Sequence, residues 1–209
     1  MRMSALTIAA LMIAASILLA PVKASAGAPT DTVKTVIDKV IKVLQDPSLK
    51  DVKKEEERRS KIRAAVHEVF DFREMAMRSL ARNWSKRSDA EKDEFTSLFS
   101  DLLERSYINR IESYSDEKVV YDSEEVDGEY AVVKTRFITK RREEITVDYK
   151  MMMEKGAWRV YDVVIERVSL VNNYRIQFNK IINSSSYAEL VKKMKNKAES
   201  EEMAGPGSS

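Results

Sequence analysis

Apolar residues recur at helical spacing along the first half of this chain of 209 residues and at alternate positions along much of the second. The pattern therefore predicts helices followed by a sheet. Val33, Val36, Ile37, Val40, Ile41 and Leu44 form a one-sided stripe. Thr30 or Asp31 can cap that helix, and Asp46-Pro47 ends it. From Asp51 to Arg59 the chain is almost entirely charged, which reads as a solvated helical face. Apolar positions resume at Ile62, Val66, Val69 and Phe70. Asp71 and Glu74 have the spacing of a capping box and open a short helix through Leu80 and Trp84. Ser88 and Glu91 repeat that spacing ahead of the longest helix, whose buried side carries Phe95, Leu98, Phe99, Leu102, Leu103, Tyr107, Ile111 and Tyr114.

From Lys118 the period shortens to two. Val119 to Ser123 predicts a strand, Asp127-Gly128 a tight turn, and Tyr130 to Thr139 a second strand. A charged connection from Lys140 to Glu144 leads to a third strand. There Ile145, Val147, Tyr149, Met151 and Met153 alternate with Thr146, Asp148, Lys150 and Met152. Lys155-Gly156 turns the chain into a fourth strand. In it Trp158 and Val160 share one parity and Tyr161, Val163 and Ile165 the other, so either a bulge re-aims the strand or both faces are covered. The strand then passes, with no glycine or proline, into a helix carrying Val168, Val171, Ile176 and Phe178. Ser186 and Glu189 open a last short helix. The expectation is an α+β fold built on a four-stranded antiparallel meander.

The ends of the chain change the picture. Arg2, an uncharged run from Ala5 to Ala20 and the small-residue site Ala24-Ser25-Ala26 are the three parts of a secretory signal peptide. Residues 1–26 are thus expected to be removed after Ala26, leaving a domain over 27–197 and a polar tail over 198–209. The chain has no cysteine, so an exported domain must rely on its core and cannot carry a lipid on an N-terminal cysteine. Removing the leader takes Arg2 and Lys23 from 36 basic residues and leaves them matched to 34 acidic ones. That balance argues against nucleic acid as a partner.

Candidate chemistry is sparse. A single histidine, His67, excludes a multi-histidine metal site, and the few glycines cannot form a phosphate loop or dinucleotide fingerprint. Asp162 and Glu166 stand within or beside an apolar strand. Each is a candidate base with a raised pKa or a bracing partner for Arg159 or Arg175, and bracing is the commoner use. Aromatic and methionine side chains are abundant, and they suit either a filled core or an adaptable apolar pocket.

Several segments resemble one family. They are the leader, Val69 to Phe72 (VFDF), Ala81 to Trp84 (ARNW), and the long helix through Tyr107. Above all they are Val163-Val164-Ile165-Glu166 and Val168-Ser169-Leu170-Val171-Asn172-Asn173-Tyr174-Arg175 with Gln177-Phe178. These are similar to the MlaC-type, or toluene-tolerance auxiliary, family of periplasmic lipid-binding proteins. Arg167 departs from the pattern, since family members commonly carry glycine there. The resemblance implies an NTF2-like cone, a curved sheet closed by helices around an apolar pocket. It also implies a non-enzymatic monomeric carrier without cofactor, taking phospholipid between an outer-membrane lipoprotein complex and an inner-membrane ABC transporter with an MCE-domain subunit. A hopanoid or other apolar lipid, or an isomerase-type enzyme using Asp162 or Glu166, is the alternative. The candidate lipid-binding set is then Phe70, Phe72 and Met75 around the first capped turn, and Phe99, Leu102, Leu103 and Tyr107 on the long helix. Val147, Tyr149, Met151 and Met153 join them from the third strand, Trp158, Val160 and Val164 from the fourth, and Tyr174 and Phe178 from the helix after it.

Overall fold

Short polar side chains start most of the helices. In the computed structural model, which describes residues 28–114 and 117–196, Asp71, Ser88, Ser169 and Ser186 each accept a hydrogen bond from the backbone N–H three residues on. Ser88 and Glu91 make both halves of the capping box. The expected signal peptide at 1–26 and tail at 198–209 lie outside the described residues. The helices are α1 (Pro29–Gln45), α2 (Glu55–His67), α3 (Phe72–Leu80), α4 (Asp89–Glu112), α5 (Leu170–Ser184) and α6 (Tyr187–Lys195). Helix α3 gives way to a 3₁₀ turn over Ala81–Lys86 that contains Trp84.

The expected cap of α1 is displaced. Pro29 takes the first helical position, where its missing N–H is no loss, and Ala28 precedes it. Thr30 instead uses its N–H and hydroxyl to bind the Glu124 carboxylate, at 2.8 and 2.6 Å, tying the start of the helix to the sheet.

The strands are β1 (Lys118–Asp127), β2 (Tyr130–Ile138), β3 (Glu144–Glu154), β4 (Ala157–Ile165) and β5 (Val168–Ser169), paired antiparallel in chain order. The sheet thus has five strands where the sequence reading has four. The added strand corrects the reading of an uninterrupted passage from β4 into helix. Glu166 and Arg167 make a two-residue turn with both φ angles positive, 48° and 68°, and Val168-Ser169 pairs back on Val164-Ile165 before α5 begins. That geometry is a tight hairpin normally announced by Asn-Gly or Asp-Gly. Here charged residues adopt it, so no glycine marks the turn.

The two parities of β4 have a simple cause. Lys150 faces Asp162 and Met151 faces Val160, so Tyr161 is an extra residue, a bulge. Trp158 and Val160 before it, and Val163 and Ile165 after it, consequently share one face. Tyr161 is sent to the other, where the Arg78 guanidinium lies 4.0 Å from its ring centre. A second bulge interrupts β1 between Tyr121 and Ser123, and such insertions add twist and curvature to a sheet. The free edge of β4 is covered as well: Asp71 donates its N–H to the Val160 carbonyl, and Val160 donates to Val69, both at 2.9 Å.

Two cores result. One packs α1 (Val33, Val36, Ile37) against the concave face of the sheet, with Val133, Tyr149, Met151 and Val160 at its centre. The other is helical and holds Met75, Phe95, Phe99, Leu102, Tyr174, Phe178, Leu190 and Met194 among α3, α4, α5 and α6. Asp162 joins them. Only 5% exposed, it accepts from the Ser169 hydroxyl at 2.7 Å and the Val171 N–H at 3.1 Å, and so holds the start of α5 against β4.

Candidate functional site

The two cores are joined through Phe70 and Tyr107, but beside these side chains a gap is left. A cavity of about 560 Å³ opens there, bounded by α1, α2, α4, the Phe70–Met75 corner and the concave face of β2, β3 and β4. Its walls are almost wholly aliphatic and aromatic. Helix α1 contributes Val36, Ile37, Val40, Ile41 and Leu44, α2 contributes Ile62 and Val66, and the sheet contributes Phe137, Ile145, Val147, Tyr149, Val163 and Ile165. The volume lies within the ~300–1,000 Å³ of ordinary ligand sites.

The polar lining is confined to two places. One is the seam where α2 runs along α4. These helices stand apart and are bridged by long side chains. Arg63 grips Glu104 through two bonds of 2.6 Å, and Arg58 and Arg59 converge on Glu112 at 2.8 Å. His67 Nε2 lies 3.3 Å from the Ser100 hydroxyl. Burial works against ionisation of Glu112, but hydrogen bonds from Arg59 and Arg58 outweigh it and hold its carboxyl below the ordinary value. The other polar place is one end of the sheet, lined by Arg110 in the last turn of α4, Ser113 and Tyr114 just after it, Glu117 before β1 and Thr139 after β2.

Of the candidate set, Phe70, Phe72, Met75, Leu103, Tyr107, Val147 and Tyr149 line this cavity. The remaining members lie elsewhere. Phe99, Leu102, Tyr174 and Phe178 are locked in the helical core, with Phe99 and Phe178 packed edge to face at 5.6 Å. Met151, Trp158 and Val160 are buried in the sheet core, and Met153 packs against it. Val164 is one residue out of phase with Val163 and Ile165, so strand alternation turns it away from them. Burial pushes the Tyr149 hydroxyl's pKa up, and that of Tyr107 up to about 12. The Tyr107 hydroxyl is itself buried, with no hydrogen-bond partner among the described residues.

Neither acid considered for base chemistry reaches the cavity. Asp162 is committed to the start of α5. Glu166 lies on the surface, binding the Thr146 N–H at 2.5 Å and hydroxyl at 3.0 Å, and these bonds lower its pKa rather than raise it. Among the described residues there is no acidic or histidine cluster able to hold a metal, and no helix is long and apolar enough to cross a membrane.

The model of the family described as "MlaC protein" matches residues 34–196, spanning every strand and all but the first turn of α1. The chain belongs to the MlaC family. Its cavity thus occurs in an MlaC-type, NTF2-like α+β fold, with a curved open antiparallel sheet closed by helices. A similar sequence is the intermembrane phospholipid transport system binding protein MlaC of Haemophilus influenzae, 23% identical over 124 residues. That alignment covers 57% of this chain, and the chain spans 58% of the length of that relative. A similar solved structure is the phospholipid-binding protein from Ralstonia solanacearum in complex with a phospholipid. It superposes with a TM-score of 0.73 at 22% identity, over 85% of this chain and 99% of that one. Arg167 has the left-handed φ that glycine adopts without strain, at 68°.

Proposed function

We propose that this protein is a periplasmic carrier that holds a phospholipid by its acyl chains in the cavity and exchanges it between membranes. The observation that carries the reading is a cavity of about 560 Å³ walled by aliphatic and aromatic groups, with its polar groups gathered at one end and one seam. A diacyl lipid with about 30 methylenes, at ~0.8 kcal/mol each, resists transfer to water by roughly 24 kcal/mol. A carrier must replace most of that apolar contact while leaving the headgroup in solvent. The donor and acceptor are an outer-membrane lipoprotein complex and an inner-membrane ABC transporter with an MCE-domain subunit, and an exported chain after loss of residues 1–26 has access to both. The position of Asp162 and Glu166 outside the cavity supports binding without catalysis.

Purification of the mature chain followed by solvent extraction and mass spectrometry is expected to release phospholipid. Protein that folds yet is free of lipid would overturn the reading, and a hopanoid in the extract would replace the cargo. Val147 is 9% exposed and lines the cavity from β3. Val147→Asp places an unpaired carboxylate among apolar groups and is expected to abolish lipid retention while the circular dichroism spectrum stays native.

A further inference from the structure

The register of the sheet brings two charged turns to the same end of the cavity. Residues 139–143 join β2 to β3, and Glu166-Arg167 joins β4 to β5. Val147 pairs with Ile165, and Glu166 donates its N–H to the Thr146 carbonyl, so the start of β3 and the end of β4 lie side by side. Thr139 and Ile145 on one side, and Ile165 on the other, line the cavity. Arg141, Arg142 and Arg167 therefore stand just outside its wall. All three are exposed, and none of their guanidinium groups makes a hydrogen bond or ion pair among the described residues.

Many other surface arginines are committed, Arg136 to Asp122 and Glu144, Arg78 to Glu74, Arg87 to Glu91 and Arg73 to Asp93, although Arg82 is not. The acids at this end are largely engaged. Among the described residues Glu144 holds Arg136, Glu117 has a partner of its own, and Glu166 binds Thr146 while its charge also acts on the adjacent Arg167, which leaves Glu143. Lys140, which has a partner of its own, adjoins Arg141 in sequence, and Lys118 pairs with Ile138 at the end of β2. Two of the three arginines also occupy left-handed backbone, φ 63° at Arg142 and 68° at Arg167. An L-residue there costs about 1 kcal/mol relative to glycine. A strained arginine whose guanidinium makes no direct hydrogen bond or ion pair, on each of two neighbouring turns, is an unfavourable choice for stability alone.

We propose that Arg141, Arg142 and Arg167 form a subsite for the phosphodiester of the bound lipid. The inference rests on the carrier reading above and adds headgroup recognition to it. Guanidinium groups pair with phosphate oxygens through short charge-assisted bonds, often two at a time. At the lip of an apolar cavity such pairing fixes how far the acyl chains descend. It also discriminates against a diacylglycerol that lacks the phosphate.

The test compares dihexanoyl phosphatidylglycerol with dihexanoylglycerol, both below aggregation so that no membrane is present. The full mature chain is set against Arg141→Gln/Arg142→Gly/Arg167→Gly. The glycines match the left-handed backbone, so the unfolding midpoint of the variant is expected to be no lower than that of the parent. The parent is expected to prefer the phosphate-bearing ligand by about tenfold or more, the scale of one charge-assisted bond, and the variant's preference to fall toward one. Equal binding of both ligands by the parent overturns the subsite and leaves the carrier reading standing; binding of neither overturns the carrier reading. Glycerol 3-phosphate binding the parent as tightly as the lipid would make this a free-phosphate site. A variant that keeps its preference but loses association with phosphatidylglycerol vesicles would make the arginines a membrane-docking patch. Either result refutes the proposal.

Discussion

Phe99→Ala is expected to lower the unfolding free energy by about 4 kcal/mol while leaving lipid retention in place, within the range measured for emptying a buried aromatic position. Phe99 has no solvent exposure, and it touches Phe95, Tyr174 and Phe178 at ring-centre distances of 6.1, 5.3 and 5.6 Å. The surrounding rings are held on two helices, α4 and α5, and cannot close together without moving the helices themselves. None of these rings lines the cavity. Urea denaturation together with mass spectrometry of the retained lipid separates the two effects. A variant that loses lipid at full stability would place Phe99 in the binding site instead.

Asp162→Ala is the second substitution with a large expected effect, about 2 kcal/mol, because it leaves a buried backbone donor without its acceptor rather than merely removing a contact. The carboxylate receives the Ser169 hydroxyl, the Val171 N–H and, at 3.4 Å, the Lys150 ammonium. Removing it orphans a backbone donor in the first turn of α5 and strands a lysine beside the sheet. Asp162→Asn keeps an acceptor and is expected to lose roughly half as much. Denaturation midpoints for the pair check this. Equal, small losses would mean that the bracing belongs to Ser169 alone.

Much of this architecture was legible because local chemistry and global fold agree. Ser88 with Glu91 and Asp71 with Glu74 signal helix starts through the groups that must satisfy orphan N–H donors. Conflicting parities in β4 signalled its bulge. The hairpin at Glu166-Arg167 was not legible, since the rule for such turns looks for glycine and these residues adopt the same backbone without it. The cavity was half legible for a different reason. Apolar periodicity tells which face of an element is covered and says nothing about whether the covering side chains meet. Phe99 and Leu103 belong to one helix stripe, yet one is packed solid and the other faces open space. The stripe on α1 was read only as a helix face, although Val40, Ile41 and Leu44 line the cavity. Its signal was present: a strongly one-sided helix ahead of the sheet needs a covering surface, and here the sheet covers only part of it.

The seam between α2 and α4 gives the cavity a wall of a different kind from the others. Three walls are apolar layers whose cohesion strengthens when salt is added, because excluded salts favour burial. The fourth is latched by Arg63 to Glu104 and by Arg58 and Arg59 to Glu112, interactions that added ions weaken. Retention by the apolar walls and closure by the latch thus respond to ionic strength with opposite signs. If cargo leaves through this seam, raising sodium chloride from about 0.05 to 0.5 M, enough to shorten screening from ~14 to ~4 Å, is expected to speed the release of a fluorescent phospholipid. A rate that falls steadily instead would show that neither the latch nor the arginine-lined end limits release, because salt weakens arginine–phosphate pairing as well; a rising rate is the expected result. The protein would then be a container whose grip is set by oil and whose door is set by charge.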